Sequence, residues 1–200
     1  MNDIVQTAKG PGRPRDEEVR KRILDSAAQL LEDRCYEDIT VDAIAEVSGA
    51  GKATIYRWWP NKAAVLIEAF RERISSELPF PDSGDFRQDV RAMLENFVEI
   101  IYKGRRGKVF RAFIAGAQAD PEIAKAYREV WIGPRRAEAR KVFERHIARG
   151  VADANLDADL AVEMVFAPMF YRLLTGWGEI TPEYLDQLVD TVLTGFLARK

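Results

Sequence analysis

The stretch TVDAIAEVSGAGKATIYRWWPNK, Thr40 to Lys62, decides the fold. Val41, Ile44, Ala45 and Val47 recur at helical spacing behind Thr40, whose hydroxyl suits an N-cap. The pattern stops at Ser48-Gly49, where a helix C-terminus favours a left-handed residue. A turn, Gly49-Ala50-Gly51-Lys52, leads into a second short helix predicted over about Ala53–Trp59 and ended by Pro60. Two short helices joined by a tight glycine-containing turn make a helix-turn-helix, a unit that sets its second helix in the DNA major groove.

Upstream, Asp16 is placed to cap a first helix with the apolar stripe Val19, Ile23, Ala27, Leu30, Leu31, ending near 33–36. Residues 1–15, rich in Gly and Pro and carrying Lys9, Arg13 and Arg15, read as a flexible arm. Downstream, Asn61 is placed to cap a fourth helix through Val65, Leu66, Ala69, Phe70 and Ile74. The Pro/Gly-rich run Leu78–Gly84 marks a domain boundary, with helix four contributing to both sides. Helices are then predicted near 85–102, 108–118, 121–131, 134–149, 157–176 and 182–198, with no convincing β alternation. The expected fold class is all-α. It comprises an arm over 1–15, a helix-turn-helix domain over 16–77 and a larger helical domain over 85–200.

Composition narrows the function. Hydrophobic residues make up 47% of the 200, enough for a sizeable core. The net charge of −2 excludes a surface coated in positive charge, so any basic patch must be local. Between Val47 and Lys62 there is no acidic residue, while Lys52, Arg57 and Lys62 are basic. One cysteine, Cys35, excludes an internal disulfide and fits a reducing cytoplasm. No secretory leader pattern is visible and no apolar run reaches the roughly 20 residues of a membrane span. A cytoplasmic location is the expectation.

The chemistry of Thr40–Lys62 suggests a division of roles. Lys52, Ala53, Thr54 and Arg57 face outward at the helix that would enter the groove, while Ile55 and Trp59 fill the core. Arg57 suits bidentate reading of a guanine, and Thr54 a thymine methyl or a phosphate. Tyr56 can lie against a sugar and bond a phosphate, Thr40 and Lys62 open their helices toward phosphate oxygens, and Arg13 and Arg15 can reach DNA from the arm. Trp58 divides between a phosphate contact and packing on helix four.

These residues resemble the TetR family of bacterial transcriptional repressors. The likeness runs from the Gly-Arg-Pro-Arg arm through Tyr36-Glu37-Asp38-Ile39-Thr40-Val41-Asp42-Ala43-Ile44-Ala45 to Thr54-Ile55-Tyr56 and Asn61-Lys62, roughly the first 75 residues. Gly51 stands where a capping Ser or Thr is common, and Arg57-Trp58 replaces a commoner His or aromatic pair, so base preference does not transfer. The resemblance implies a homodimer on a palindromic double-stranded operator, paired through the last two helices and released by a small-molecule effector.

In the C-terminal region the last helix carries the stripe Leu185, Leu188, Val189, Val192, Leu193, Phe196. The helix before it has two apolar faces, of which Val162, Phe166 and Phe170 (with Leu173) are assigned to the dimer. Recognition helices of such a dimer lie about 34–36 Å apart or a multiple. Pro168 lies inside that helix and should bend it. Met93, Phe97, Phe110, Phe113, Trp131, Phe143, Met164, Pro168 and Trp177 are the candidate walls of an effector cavity, suiting a small apolar or amphipathic molecule. Lys103–Lys108 reads as a basic loop, and His146 as a surface residue in a charged segment. No metal site and no cofactor are expected. One His, one Cys and no phosphate-binding glycine loop argue against the alternative of a helical enzyme. A helical protein-interaction module is the other alternative.

Overall fold

The structure is a computed structural model and describes residues 13–75, 77 and 79–196, with the side chains of 13–15 excluded. The expected arm over 1–12, the Arg13 and Arg15 side chains, and the end of the last predicted helix beyond 196 lie outside the described residues. Among those described there are ten α-helices and no strand.

The first four are α1 (Arg13–Asp33), α2 (Val41–Ser48), α3 (Lys52–Trp58) and α4 (Lys62–Ser75). The backbone is already helical at Arg13, so Asp16 does not cap α1 and sits in its first turn instead. A carboxylate there is favoured by the exposed N–H groups of the helix start. Thr40 Oγ1 accepts from the Ala43 N–H (3.1 Å) and opens α2, and Gly49 closes it at φ +67°. Asn61 Oδ1 accepts from the Ala64 N–H (2.9 Å) and opens α4. Gly51 precedes α3 with no side-chain cap. Val47, read as an inward residue, is exposed. In so short a helix Ile44 and the buried Ser48 complete the inward face.

The second body holds α5 (Phe86–Phe97), α6 (Gly104–Ala119), α7 (Pro121–Ala126), α8 (Gly133–Ala148), α9 (Ala158–Thr175) and α10 (Pro182–Thr194). α5 continues as a π-helical segment, Val98–Tyr102, and α7 as another, Tyr127–Ile132. The run read as a basic loop is mostly the first turn of α6. Gly104 turns the chain at φ +62°. A Cβ on Gly107 would come within 2.2 Å of the Tyr102 carbonyl oxygen, so only glycine admits this corner. Pro168 is accommodated within a continuous α9.

His146 is not a surface residue. Both it and Asp89 are 0% exposed, and His146 Nε2 lies 2.8 Å from Asp89 Oδ2. The imidazole stacks on Phe86 at 4.6 Å. Asp89 Oδ1 also accepts from the Ser83 N–H (2.8 Å) and Oγ–H (2.6 Å). The charged neighbours Glu144 and Arg145 suggested exposure, yet a helix turns them away from the face that carries position 146. This polar cluster joins α5, α8 and the interdomain segment. The segment is strapped further by Arg145 to the Pro81 carbonyl (2.6 Å) and Arg149 to Asp82 (2.8 Å).

Burial pushes the Asp89 carboxyl up, but hydrogen bonds from Ser83 and His146 outweigh it, and its pKa lies below the ordinary value. A depressed carboxylate stabilises the fold above its unfolded pKa of about 4, and that contribution is lost as pH falls through the folded value. Asp89→Ala is expected to cost roughly 3 kcal/mol in urea unfolding at neutral pH, because it strands the buried His146. The gap between variant and wild type should shrink toward pH 3.

Candidate nucleic-acid interface and effector cavity

α3 is held from beneath by two side chains. Ile55 is buried, and so is Trp59 at the C-terminal end of the helix. The indole N–H of Trp59 donates to Glu68 Oε2 on α4 (2.6 Å). Arg20 of α1 pairs with the other oxygen of Glu68 and lies over the Trp59 ring. One carboxylate therefore ties α1, α3 and α4 together. This leaves Lys52, Ala53, Tyr56 and Arg57 exposed on the outward face, with Thr54 half-buried beside them. Trp58 is half-buried, edge-on to Trp59 at 5.5 Å, with the Arg57 guanidinium 5.1 Å from its ring.

The outward cations are already paired. Lys52 forms an ion pair with Asp42 on α2, and Arg57 with Asp16 on α1 at 3.1 Å. Both pairs are solvent-exposed, so each is worth a fraction of a kcal/mol and yields readily to a phosphate or base.

Lys62, expected to meet a phosphate, is occupied differently. Its ammonium donates to the carbonyls of Tyr36 (3.0 Å), Glu37 (3.2 Å) and Ile39 (2.9 Å), and it lies 4.6 Å from the Tyr36 ring centre. An ammonium has three N–H donors, and all three are used. Lys62 thus clamps the turn that leads into α2. The signal was in principle legible, since a turn's unpaired carbonyls need donors, but nothing in spacing named residue 62 as the donor.

A cavity of about 390 Å³ opens between the interdomain segment, α5, α8 and α9. Of the expected wall residues, Met93, Phe97 and Trp131 line it. Phe110, Phe113 and Phe143 are instead fully buried core. Met164 and Trp177 (69% exposed) face away on the surface, and Pro168 is not part of the wall. Val162, Phe166 and Phe170, assigned to a dimer face, line the cavity instead. Leu185, Val189, Leu193 and Phe196 are buried within the chain's own core, and only Leu188 and Val192 of that stripe stay half-exposed. The residues assigned to the dimer are thus mostly covered within the chain itself. The face of α9 left open carries Leu160, Met164, Tyr171 and Leu174, with Trp177 just beyond its end. Offsets of 4, 11 and 14 residues put the four helical positions on one side of the helix. The polar wall residues Asn96, Arg135, Arg136 and Glu163 were missed, since nothing local distinguishes them from solvated charges.

A chain of rings runs from the cavity to the turn before α2. Phe97 meets Phe166 (5.8 Å) and Phe170 (5.5 Å). Trp131, also on the wall, packs on Phe70 of α4 at 5.4 Å. Phe70 meets Phe113 at 5.5 Å, and Phe113 meets Tyr36 at 5.5 Å, the ring beneath Lys62.

Two family models match the chain. Residues 23–69 match "Bacterial regulatory proteins, tetR family" and residues 80–192 match "Tetracyclin repressor-like, C-terminal domain". The chain belongs to the TetR family. It is a helix-turn-helix, DNA-binding transcriptional regulator. It is 37% identical to the uncharacterized HTH-type transcriptional regulator YdeS of Bacillus subtilis, across 94% of each chain. The DNA-binding transcriptional repressor TetR of Mycobacteroides abscessus is 26% identical over 86% of this chain and 90% of its own. The crystal structure of the TetR family transcription regulator SCO0332 superposes with a TM-score of 0.83 at 30% identity, covering 89% of this chain and 98% of that one. Among the described residues no helix is long and apolar enough to cross a membrane, and no cluster of three or more His, Cys, Asp or Glu is placed to hold a metal ion.

The clamp at Lys62 makes a distinguishing test. Lys62→Met should lower unfolding stability by about 2 kcal/mol, from the loss of charge-assisted hydrogen bonds. The salt dependence of DNA binding should keep its slope, whereas loss of a phosphate contact would lower that slope by about one.

Proposed function

We propose that the protein is a homodimeric repressor that binds a palindromic operator and is released by a small-molecule effector held in the α5/α8/α9 cavity. The observation that carries the reading is the outward face of α3. Four exposed positions, two of them cationic, stand on a short helix fixed from below by Ile55 and Trp59. Lys52, Thr54 and Arg57 are assigned to base edges or nearby phosphates. Tyr56, Trp58 and the free N–H groups behind Thr40 are assigned to the backbone, and Ala53 allows close approach. Arg13 and Arg15 are assigned to the DNA flank.

Release is supported by the shared helix. Phe70 on α4 packs against Trp131, whose other side is cavity wall. α4 is bound to α1 by Arg20 with Glu68 and by Arg73 with Glu32 (3.0 Å). An effector that displaces Trp131 therefore moves α4, and α4 carries the helix-turn-helix with it. Such a ligand acts only if it binds the released state more tightly.

The dimer is supported by the open face of α9. Leu160, Met164, Tyr171 and Leu174 make an apolar stripe of the kind that marks an interface. Leu188 and Val192 of α10 add half-exposed apolar surface, and a two-fold axis through these helices sets the spacing of two recognition helices.

Two measurements test the reading. With an operator recovered by selection from random DNA, Arg57→Ala should weaken specific binding about tenfold or more at fixed salt and leave the melting temperature unchanged. Unaltered specific affinity would remove Arg57 from the reading set. In sedimentation, the double variant Leu160→Glu/Leu174→Glu should be monomeric and lose operator binding; a persistent dimer would place the interface elsewhere.

A further inference from the structure

The cavity wall is aromatic, and its charged side chains are engaged inside the protein. Phe97, Trp131, Phe166 and Phe170 supply ring surface. Arg136 donates to Glu163, also on the wall, at 2.7 Å, and to Asp159 at 3.2 Å. Arg135 holds its guanidinium 4.1 Å from the ring centre of Phe80 and has a further partner within the protein. Asn96 is different. Half-buried on α5, its side chain donates from one amide N–H to the Pro79 carbonyl at 3.3 Å. A carboxamide carries two N–H donors and an acceptor oxygen. Among the described residues nothing else bonds this side chain, so its oxygen and second N–H are uncommitted on a wall otherwise made of rings, aliphatic groups and paired charges.

We infer that the effector is an uncharged aromatic molecule bearing a hydroxyl, with its rings against Phe97, Phe166 and Phe170 and its hydroxyl on the Asn96 amide. This rests on the reading of the cavity as the effector site and names its ligand class. The aromatic walls favour ring edges and faces over a bare alkyl chain. A hydroxyl both donates and accepts, so one group can serve the Asn96 oxygen or its spare N–H. A carboxylate would leave water for guanidiniums that already have partners, and taking Arg136 would break it from Glu163 and Asp159. An ammonium fares no better. Glu163 is engaged with Arg136, and burial already pushes the Arg135 pKa down to about 10, the mark of a wall where a further cation is unwelcome. A cavity of about 390 Å³ is within the range of small-molecule sites. Rings seated on Phe97 also lie on the same wall as Trp131, the residue that touches α4.

The experiment uses three matched probes on the full chain at neutral pH: 2-naphthol, 2-methylnaphthalene and 2-naphthoate, measured by equilibrium dialysis. The naphthol should bind about fivefold or more tighter than its methyl isostere, the share expected of one neutral hydrogen bond. The naphthoate should bind about tenfold or more weaker than the naphthol, because its charge leaves water without a free partner. Asn96→Leu should abolish the preference for naphthol over methylnaphthalene while methylnaphthalene affinity stays within about threefold, since only the hydrogen bond is removed; Asn96→Gln should keep part of the preference. If Asn96→Leu does not fold, Asn96→Gln and the wild-type ranking of the three probes decide. Equal affinity for naphthol and methylnaphthalene, tightest binding of the naphthoate, no binding of any probe, or a hydroxyl preference that survives in a folded Asn96→Leu each overturns the inference. Operator release is read separately. A naphthol that binds tightest yet leaves the protein–operator complex intact keeps the ligand class and defeats the repressor reading.

Discussion

The placement of Phe70 is the constraint on which the rest of the molecule depends. It lies on α4, whose opposite flank is tied to α1 and α3 through Glu68 and Arg20. The ring itself packs among Phe110, Phe113 and Trp131 of the second domain. A protein interior packed at crystal density does not absorb displacement by compressing. A shift of Trp131 is therefore transmitted to α4 or refused. The same helix presents Lys62 to the carbonyls of residues 36, 37 and 39. One helix thus belongs to the core of one domain and the scaffold of the other, and this is the physical basis on which a ligand-responsive reading rests.

The second domain owes its geometry to a buried polar cluster as much as to its aromatic core. Asp89, His146 and Ser83 are linked where α5, α8 and the interdomain segment meet. Polar groups held out of water demand specific partners, so this cluster fixes the path of the segment in a way that apolar packing alone would not. That path then sets the cavity, because Pro79 and Phe80 of the same segment form part of its wall. Arg135, also on that wall, lies over the Phe80 ring.

Much of the local structure was legible in the sequence. Gly49 at a left-handed C-terminus, Thr40 and Asn61 as caps, and Ile55 and Trp59 as inward residues follow from rules acting within a few positions. Less legible was partner choice over long separations. Lys62 looked like a phosphate ligand because a lysine at a helix start suits one. The carbonyls that occupy it are 23 to 26 residues away. His146 looked solvated because its neighbours are charged, yet its partner is 57 residues distant. On α9 the sequence shows apolar residues all round, and periodicity cannot say which face meets the chain's own core.

The sequence by itself determined the all-α class, the helix-turn-helix between Thr40 and Lys62 and the punctuation of most helices, because caps, turns and apolar periodicity are short-range physics. The family resemblance was likewise carried by contiguous residues. Only the tertiary structure decided that Val162, Phe166 and Phe170 face a cavity while Leu160, Met164, Tyr171 and Leu174 face outward. It alone made Lys62 a clamp and set Arg135 over Phe80. These depend on how helices remote in sequence come to lie against one another, and a helix's own pattern records that it has an apolar side without recording what covers it.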